Sequence, residues 1–253
     1  MNDNQKLTTV KLTLEYNGAG FSGWQEQPGL RTIQGELTRI LSTILRAPAL
    51  RVTSSGRTDT GVHALAQVVT FQTSSDCSKL DKLGYSVTSL LKGEVSVLDA
   101  RIVPNDFNAR FSKHTKQYSY RLYTRRAPPI LDADFVWHES RCADIASMKS
   151  AAASLVGQHD FTSLRSSDCT ARSPIRTILE SELIEREQEL IYRVVASGFL
   201  KQMVRNIVGT LVGIGMNRLE GRTMPEILMS KDRKKAGMTA PAQGLRLDWV
   251  KYS

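Results

Sequence analysis

Residues 54–64 read SSGRTDTGVHA and contain Asp59-Thr60-Gly61, a triplet that also occurs in aspartic proteases. Protease chemistry needs two carboxylates that share one proton, and the sequence has no second Asp-Thr-Gly or Asp-Ser-Gly. Gly, Arg and Thr precede Asp59, whereas a protease aspartate follows a buried apolar strand. A protease is therefore disfavoured, and an aspartate that only caps a turn remains a structural alternative.

The residues on either side of this loop predict regular structure. Apolar and polar residues alternate over residues 10–16, which is typical of a half-buried strand. Apolar residues then recur at helical spacing over residues 33–45, with Thr32 as the expected N-cap. Residues 64–71 predict a second strand, so Asp59 is expected on a loop that leads directly into it.

Strands and helices follow one another irregularly along the rest of the chain. Gln188-Glu189 is predicted to turn a hairpin. Because strict βαβ alternation is missing, the pattern favours an α+β fold with two related halves, residues 1–110 and 111–253. The remaining predicted strands are 95–103, 115–123, 178–187, 190–197 and 245–252, and the remaining predicted helices are 78–91, 143–156, 199–216 and 224–230.

The formal net charge of +9 is unevenly distributed over the 253 residues. Residues 1–110 hold 12 Lys and Arg against 10 Asp and Glu, whereas residues 111–253 hold 22 against 15. Such an excess favours polyanionic partners, with the later residues supplying most of the phosphate-facing surface. A basic face that is simply solvated is the alternative.

Several classes of protein have no support in the sequence. The three cysteines form no C-x-x-C and the four histidines no H-x-x-x-H, so we predict neither a disulfide framework nor a metal site. No GxGxxG or Walker-type loop points to a nucleotide cofactor. The N-terminus has no apolar signal core, and the longest nearly apolar run, residues 207–216, is about half a membrane span. We therefore predict a cytoplasmic protein without a membrane segment.

The window around Asp59 resembles the catalytic loop of the TruA family of tRNA pseudouridine synthases. Further segments match the family in the same order and span nearly the whole chain. They are FSGWQEQPGLRTIQGEL (21–37), FNARFS (107–112), KQYSYRLY (116–123), SPIRTI (173–178), GFLKQMVRNIVG (198–209) and APAQGLRL (240–247).

The resemblance implies an α+β pseudouridine synthase fold. Two ferredoxin-like halves would share a joined, mostly antiparallel sheet, with the active-site cleft between them. Residues 1–110 would carry the Asp59 loop, and residues 111–253 would carry Tyr118 and Arg205. The family acts without a cofactor on the anticodon stem-loop of tRNA, at tRNA positions 38, 39 and 40, and its members are homodimers.

The resemblance also assigns roles to individual residues. Asp59 corresponds to the essential carboxylate, and Arg205 to the cation that pairs with it and keeps it ionised. Tyr118 corresponds to the tyrosine that stacks on uracil and helps to remove the ring proton. Arg57 is expected to contact RNA or to fill the gap left by the flipped base, and Leu245 to line the uracil pocket.

Each assignment has a plainer structural alternative. Arg205 could be a helix-surface arginine, Arg57 could form a loop salt bridge, and Tyr118 and Leu245 could be ordinary core residues. The alternative function is a non-catalytic RNA-binding or RNA-folding protein on the same scaffold. Candidates for phosphate contacts are Arg121, Arg125, Arg126, Arg165 and Arg172; the run KDRKK at 231–235 receives no role, and His63 is expected to make a positioning hydrogen bond.

Overall fold

The computed structural model describes residues 7–77 and 79–253, so the first six residues and Ser78 of the predicted helix 78–91 lie outside the described part. The chain forms two compact units. The first comprises the residues up to His114 together with Leu247–Ser253, and the second is Thr115–Arg246. The sequence predicted two halves that divide between residues 110 and 111, with the last strand in the second half. The observed boundary lies between His114 and Thr115, and most of the last strand belongs to the first unit.

The first unit has the strand and helix order of a ferredoxin-like domain. Its sheet has the strand order β4-β1-β3, with β2 and β10 also beside β3, and β1 runs antiparallel to both of its neighbours. The elements are β1 (Thr8–Tyr16), α1 (Ile33–Leu45), β2 (Thr53–Ser54), β3 (His63–Thr73), α2 (Leu80–Leu90), β4 (Val95–Val103) and most of β10 (Leu245–Tyr252).

The core of this unit follows from the alternation in β1. Leu12 is fully buried and lies opposite Val69 of β3 and Ala100 of β4. The N-cap prediction for α1 is confirmed, because the Thr32 hydroxyl accepts a hydrogen bond from the Gly35 N–H at 3.2 Å.

The second unit is also α+β. Its strands lie in the order β5-β9-β8-β7 in antiparallel pairs, and β6 runs parallel to β5 at one end. Helix α3 packs against β8 and α4. The elements are β5 (His114–Tyr123), β6 (Trp137–His138), α3 (Ile145–Ala153), β7 (Gly157–Asp160), β8 (Ile175–Arg186), β9 (Glu189–Ala196), α4 (Met203–Gly215) and α5 (Met224–Ser230).

The predicted α+β class with mostly antiparallel strands is confirmed, but several boundaries differ. The β8–β9 hairpin turns at Glu187-Gln188, one residue earlier than predicted, because Glu187 adopts a left-handed φ of 51° and Arg186 pairs with Glu189. Helix α4 begins at Met203 rather than near residue 199, since Gln202 is also left-handed, with φ 57°. The short strands β6 and β7 were not predicted.

The last strand is fixed to the first unit by its final aromatic residue. The Tyr252 hydroxyl donates to the Ala109 carbonyl at 2.7 Å, and its ring packs on Phe107 at a centroid distance of 4.8 Å. In the described part of the chain, no helix is both long enough and apolar enough to cross a membrane.

Candidate active site

Asp59 lies on the loop between β2 and β3, as the sequence predicted. Its side chain is half-buried, while Arg57 two residues earlier is exposed. The Val62 N–H donates to the Asp59 carbonyl at 3.1 Å and closes a tight turn immediately before β3. The turn therefore fixes the backbone of Asp59 and leaves its carboxylate within reach of solvent.

A buried polar network holds the start of this loop. Gln67 of β3 is fully buried, and its amide donates to the Gly56 carbonyl at 3.0 Å while accepting from the Ser55 hydroxyl at 2.7 Å. The Tyr16 hydroxyl lies 2.9 Å from the Thr58 hydroxyl, and burial raises the pKa of Tyr16 to about 12. The four side chains of this network, Tyr16, Ser55, Thr58 and Gln67, are thus neutral at neutral pH, and each makes a hydrogen bond within the network.

The glycine-rich loop after β1 packs directly against the turn that carries Asp59. A Cβ on Gly18 would lie only 2.1 Å from the Val62 carbonyl oxygen, so any other residue would displace the turn. The Gly18 N–H donates to His63 Nδ1 at 3.1 Å. His63 therefore makes the positioning hydrogen bond that the sequence predicted, and its Nδ1 is an acceptor.

Tyr118 lies in the middle of β5, opposite Val194 of β9, and only 7% of it is exposed. The ring of Phe199 meets it edge to face at a centroid distance of 5.0 Å. Tyr118, Tyr120 and Leu122 alternate along β5, and all three are buried.

Arg205 lies in the first turn of α4 and is half-buried. Its Nε donates to the Ala240 carbonyl at 2.8 Å, and the Ala240 N–H donates back to the Arg205 carbonyl at 3.1 Å. Burial raises the pKa of Tyr120, and the charge of Arg205 opposes that increase. Arg205 is therefore an oriented cation beside the buried face of β5, which is not the environment of a helix-surface arginine.

Arg233 connects the basic run 231–235 to this arrangement, a role that the sequence did not suggest. Its guanidinium donates to the Gly237 carbonyl, to Asn206 Oδ1 and to the Thr239 hydroxyl, at 2.7–3.1 Å. All three acceptors are neutral, and burial lowers the pKa of Arg233. The run looks like a solvated charge cluster, yet Arg233 points inward and holds the segment that carries Ala240.

Leu245 begins β10 and is 5% exposed. The preceding Gly244 packs so closely on the Tyr120 ring that a Cβ there would lie 2.6 Å away, and the Tyr120 hydroxyl donates to the Pro241 carbonyl at 2.8 Å. The burial of Leu245 suits both the lining of a pocket and ordinary core packing.

The predicted site residues thus fall into two groups. Asp59 and Arg57 share the loop of the first unit, while Tyr118, Arg205 and Leu245 are linked in the second unit through Tyr120 and residues 240–244. Across residues 7–77 and 79–253, no group of three or more His, Cys, Asp or Glu side chains could hold a metal ion.

One predicted phosphate contact is engaged elsewhere. The guanidinium of Arg121 forms ion pairs with Asp132 and Glu189, and it also contacts the Tyr123 hydroxyl. Since two carboxylates already neutralise it, Arg121 is a poor candidate for binding a phosphate.

Comparison with known proteins gives a consistent result. A family model described as tRNA pseudouridine synthase matches residues 151–253. A tRNA pseudouridine synthase A from Halalkalibacterium halodurans is 40% identical over 239 residues, covering 94% of this chain and 90% of the relative. Proteins of the same name from Methylobacterium nodulans and Bartonella tribocorum are 40% and 37% identical, covering 97% of this chain and 96% and 100% of the relatives.

Structural superposition adds nothing to this result. A solved aminoacylhistidine dipeptidase from Vibrio alginolyticus aligns at 14% identity with a TM-score of 0.25, over 98% of this chain and 39% of that chain. A superposition of that quality has no bearing on the fold.

Proposed function

Because the chain belongs to the tRNA pseudouridine synthase A family, we propose that it converts uridine to pseudouridine in the anticodon stem-loop of tRNA, at tRNA positions 38, 39 and 40. Similarity at about 40% identity along nearly the whole chain supports the reaction class. The observation that carries the proposal is the Asp59 loop, whose sequence GRTDTGVHA is the family signature and whose backbone is held from several sides.

The reaction needs groups that break and remake one bond without redox chemistry. The glycosidic bond between N1 and ribose C1′ breaks, the uracil turns, and C5 joins C1′. The proton on C5 is lost and N1 gains one, so the product is an isomer. A carboxylate suits this sequence, because it can attack the ribose or the base, or take a proton, and later leave.

Asp59 supplies the carboxylate in this proposal, and Arg205 supplies the cation that keeps it ionised. The pairing comes from the family resemblance. The hydrogen bond from Arg205 Nε to the Ala240 carbonyl supports it, because it fixes the plane of the guanidinium before a ligand arrives. Tyr118 stacks on the uracil, and Phe199 limits the rotation of its ring.

The remaining assignments concern the RNA. Arg57 is exposed beside Asp59, as a residue that fills the place of a flipped base must be, and Leu245 lines the uracil pocket. The net charge of +9 is suited to the phosphates of tRNA. The enzyme acts in the cytoplasm as a homodimer and requires no cofactor.

The deciding experiment measures tritium release from tRNA labelled at uracil C5. The wild type should release tritium, Asp59→Asn should release none, and both should bind tRNA equally. Asp81→Asn, which changes an exposed aspartate on α2 of the same unit, is the matched control and should keep full turnover. Release by Asp59→Asn at the wild-type rate would overturn the catalytic assignment and favour a non-catalytic RNA-binding protein.

Two further measurements test the finer assignments. Chemical mapping of pseudouridine in the product tRNA should place it at positions 38, 39 and 40, and a product in another arm of the tRNA would refute the proposed target. Arg205→Leu should reduce turnover much more than tRNA binding, because its proposed partner is Asp59. Equal losses in turnover and binding would refute that pairing.

A further inference from the structure

A short turn after β4 holds an aromatic ring out in solvent. Phe111 is 79% exposed, and the guanidinium carbon of Arg110 lies 5.7 Å from the centre of its ring. Arg110 and Lys113 are exposed as well, so the turn presents one aromatic ring between two cations. None of the roles assigned above uses these side chains.

Hydrogen bonds within the turn hold its backbone in place. Asn108 Oδ1 accepts from the N–H groups of Arg110 and Phe111, at 2.9 and 3.3 Å. The Asn108 N–H donates to the Ser112 hydroxyl at 3.0 Å, and the Ser112 N–H donates to the Asn108 carbonyl at 2.9 Å. The backbone that carries Phe111 is therefore fixed from both ends.

The turn is also anchored to the core of the first unit. Ala109 is fully buried, its N–H donates to the Thr70 hydroxyl at 3.2 Å, and its carbonyl accepts from the Tyr252 hydroxyl. Below the turn, His114 Nδ1 lies 2.6 Å from the Ser112 carbonyl oxygen. The exposure of Phe111 is thus imposed by a well-ordered support, and the backbone that carries the ring loses little conformational freedom when the ring binds.

The chemistry of the exposed group selects the kind of ligand. A flat ring flanked by two solvent-exposed cations suits a ligand with a planar group between negative charges. A nucleobase with its flanking phosphates is such a ligand. Exposed aliphatic residues such as Ile130 and Leu131 cannot stack in this way. A base inside a duplex already has neighbours on both faces, so the ring requires an unpaired base.

We propose that Phe111 stacks on an unpaired base of the tRNA substrate, with Arg110 and Lys113 on the adjacent phosphates. This inference rests on the proposed function, since it names a contact that the bound tRNA makes outside the catalytic residues. It makes residues 108–113 part of the surface that reads the loop of the RNA rather than its stem.

The test compares binding of two RNAs, an anticodon stem-loop and a fully paired duplex of the same length. Phe111→Ala should weaken stem-loop binding about 5- to 150-fold and leave duplex binding unchanged, whereas Phe111→Tyr should bind like the wild type. Arg110→Gln should weaken binding to both RNAs and lower the salt slope by about one. Tyr85→Ala is the matched control, because Tyr85 is 77% exposed on α2 of the same unit.

The outcomes separate this inference from the proposed function. Unchanged stem-loop binding by Phe111→Ala, or an equal loss on the duplex, would overturn the stacking role while wild-type turnover stands. An equal loss in Tyr85→Ala would also overturn it, because any exposed aromatic would then suffice. A wild type that binds the stem-loop but forms no pseudouridine would refute the function, and the binding comparison would still decide whether Phe111 stacks on RNA.

Discussion

Replacing Asn206 by alanine removes a fully buried side chain that joins three parts of the second unit. Its Nδ2 donates to the Leu164 carbonyl at 3.1 Å, and its Oδ1 accepts from Arg233 at 3.0 Å and from the Thr239 hydroxyl at 2.7 Å. Alanine leaves those three groups without this partner and opens a small cavity. Arg233 and Thr239 keep their hydrogen bond to each other, so the loss is partial.

The expected cost follows from the burial of these groups. A buried neutral group without its partner costs about 1–3 kcal/mol, and a charged group more, so we expect Asn206→Ala to lower the free energy of unfolding by about 3–5 kcal/mol. For a chain of this size the melting temperature should fall by roughly 10 °C. Because residues 237–240 lose an anchor next to Ala240, Arg205 should be misplaced and turnover should fall more than tRNA binding.

Asn105→Ala is the matched control for this prediction. Asn105 is exposed, yet its side chain also makes two hydrogen bonds to backbone, from the Thr9 N–H and to the Leu7 carbonyl, both at 3.0 Å. Water can replace the exposed bond to the Leu7 carbonyl, and the bond from Thr9 is only partly buried, so the loss should be smaller, about 1 kcal/mol. Thermal unfolding and urea titration of both variants measure the difference. Equal destabilisation by the two substitutions would refute the argument from burial.

Three further predictions concern the loop, the pH dependence and the salt dependence. Gly18→Ala should lower the free energy of unfolding by about 1–3 kcal/mol and abolish tritium release, because its Cβ would lie 2.1 Å from the Val62 carbonyl oxygen. Gly198→Ala is the control: its Cβ would lie 3.8 Å from the nearest atom, so its free energy of unfolding in urea should be nearly that of the wild type. The hydrogen bond from Arg141 lowers the pKa of Glu139, so this carboxylate stabilises the fold above its ordinary pKa and ceases to do so as the pH falls through the lower, folded value. On acidification below about pH 5, the free energy of unfolding should therefore fall less for Glu139→Gln than for the wild type. Parallel plots of the free energy of unfolding against pH for the two proteins would contradict this. Affinity for tRNA should fall steeply with salt in filter binding, and a flat response would mean that the basic surface does not contact phosphates.

The spacing of apolar residues in the sequence predicted those elements whose form depends on residues close together in the chain. The alternation over residues 10–16 and the helical spacing from Ile33 to Leu45 predicted β1 and α1, and Thr32 caps the helix as expected. The hairpin turn was displaced by one residue, because nothing in the pattern shows which residue takes the left-handed conformation. Glu187 takes it without being Gly or Asn, the residues that usually mark it.

The inward direction of Arg233 depends on contacts far away in the sequence. Residues 237–240 cross α4 at Gly209, where a Cβ would lie 1.7 Å from the Met238 carbonyl oxygen. That close approach brings Gly237 and Thr239 over Asn206 and leaves Arg233 facing their oxygen atoms. In the sequence, the same arginine is one of four cations in a five-residue run, which usually indicates a solvated surface.

The two groups of candidate site residues are supported in the same way. A fully buried side-chain amide holds the backbone beside each charged residue, Gln67 beside the Asp59 loop and Asn206 beside the segment that binds Arg205. An amide both donates and accepts, so it can satisfy a loop carbonyl and a hydroxyl at once. It also carries no charge, and a charged group in either place would act on the carboxylate of Asp59 or the guanidinium of Arg205 at short range. Neutral supports thus fix the backbone beside each of these two charged residues without adding a charge of their own.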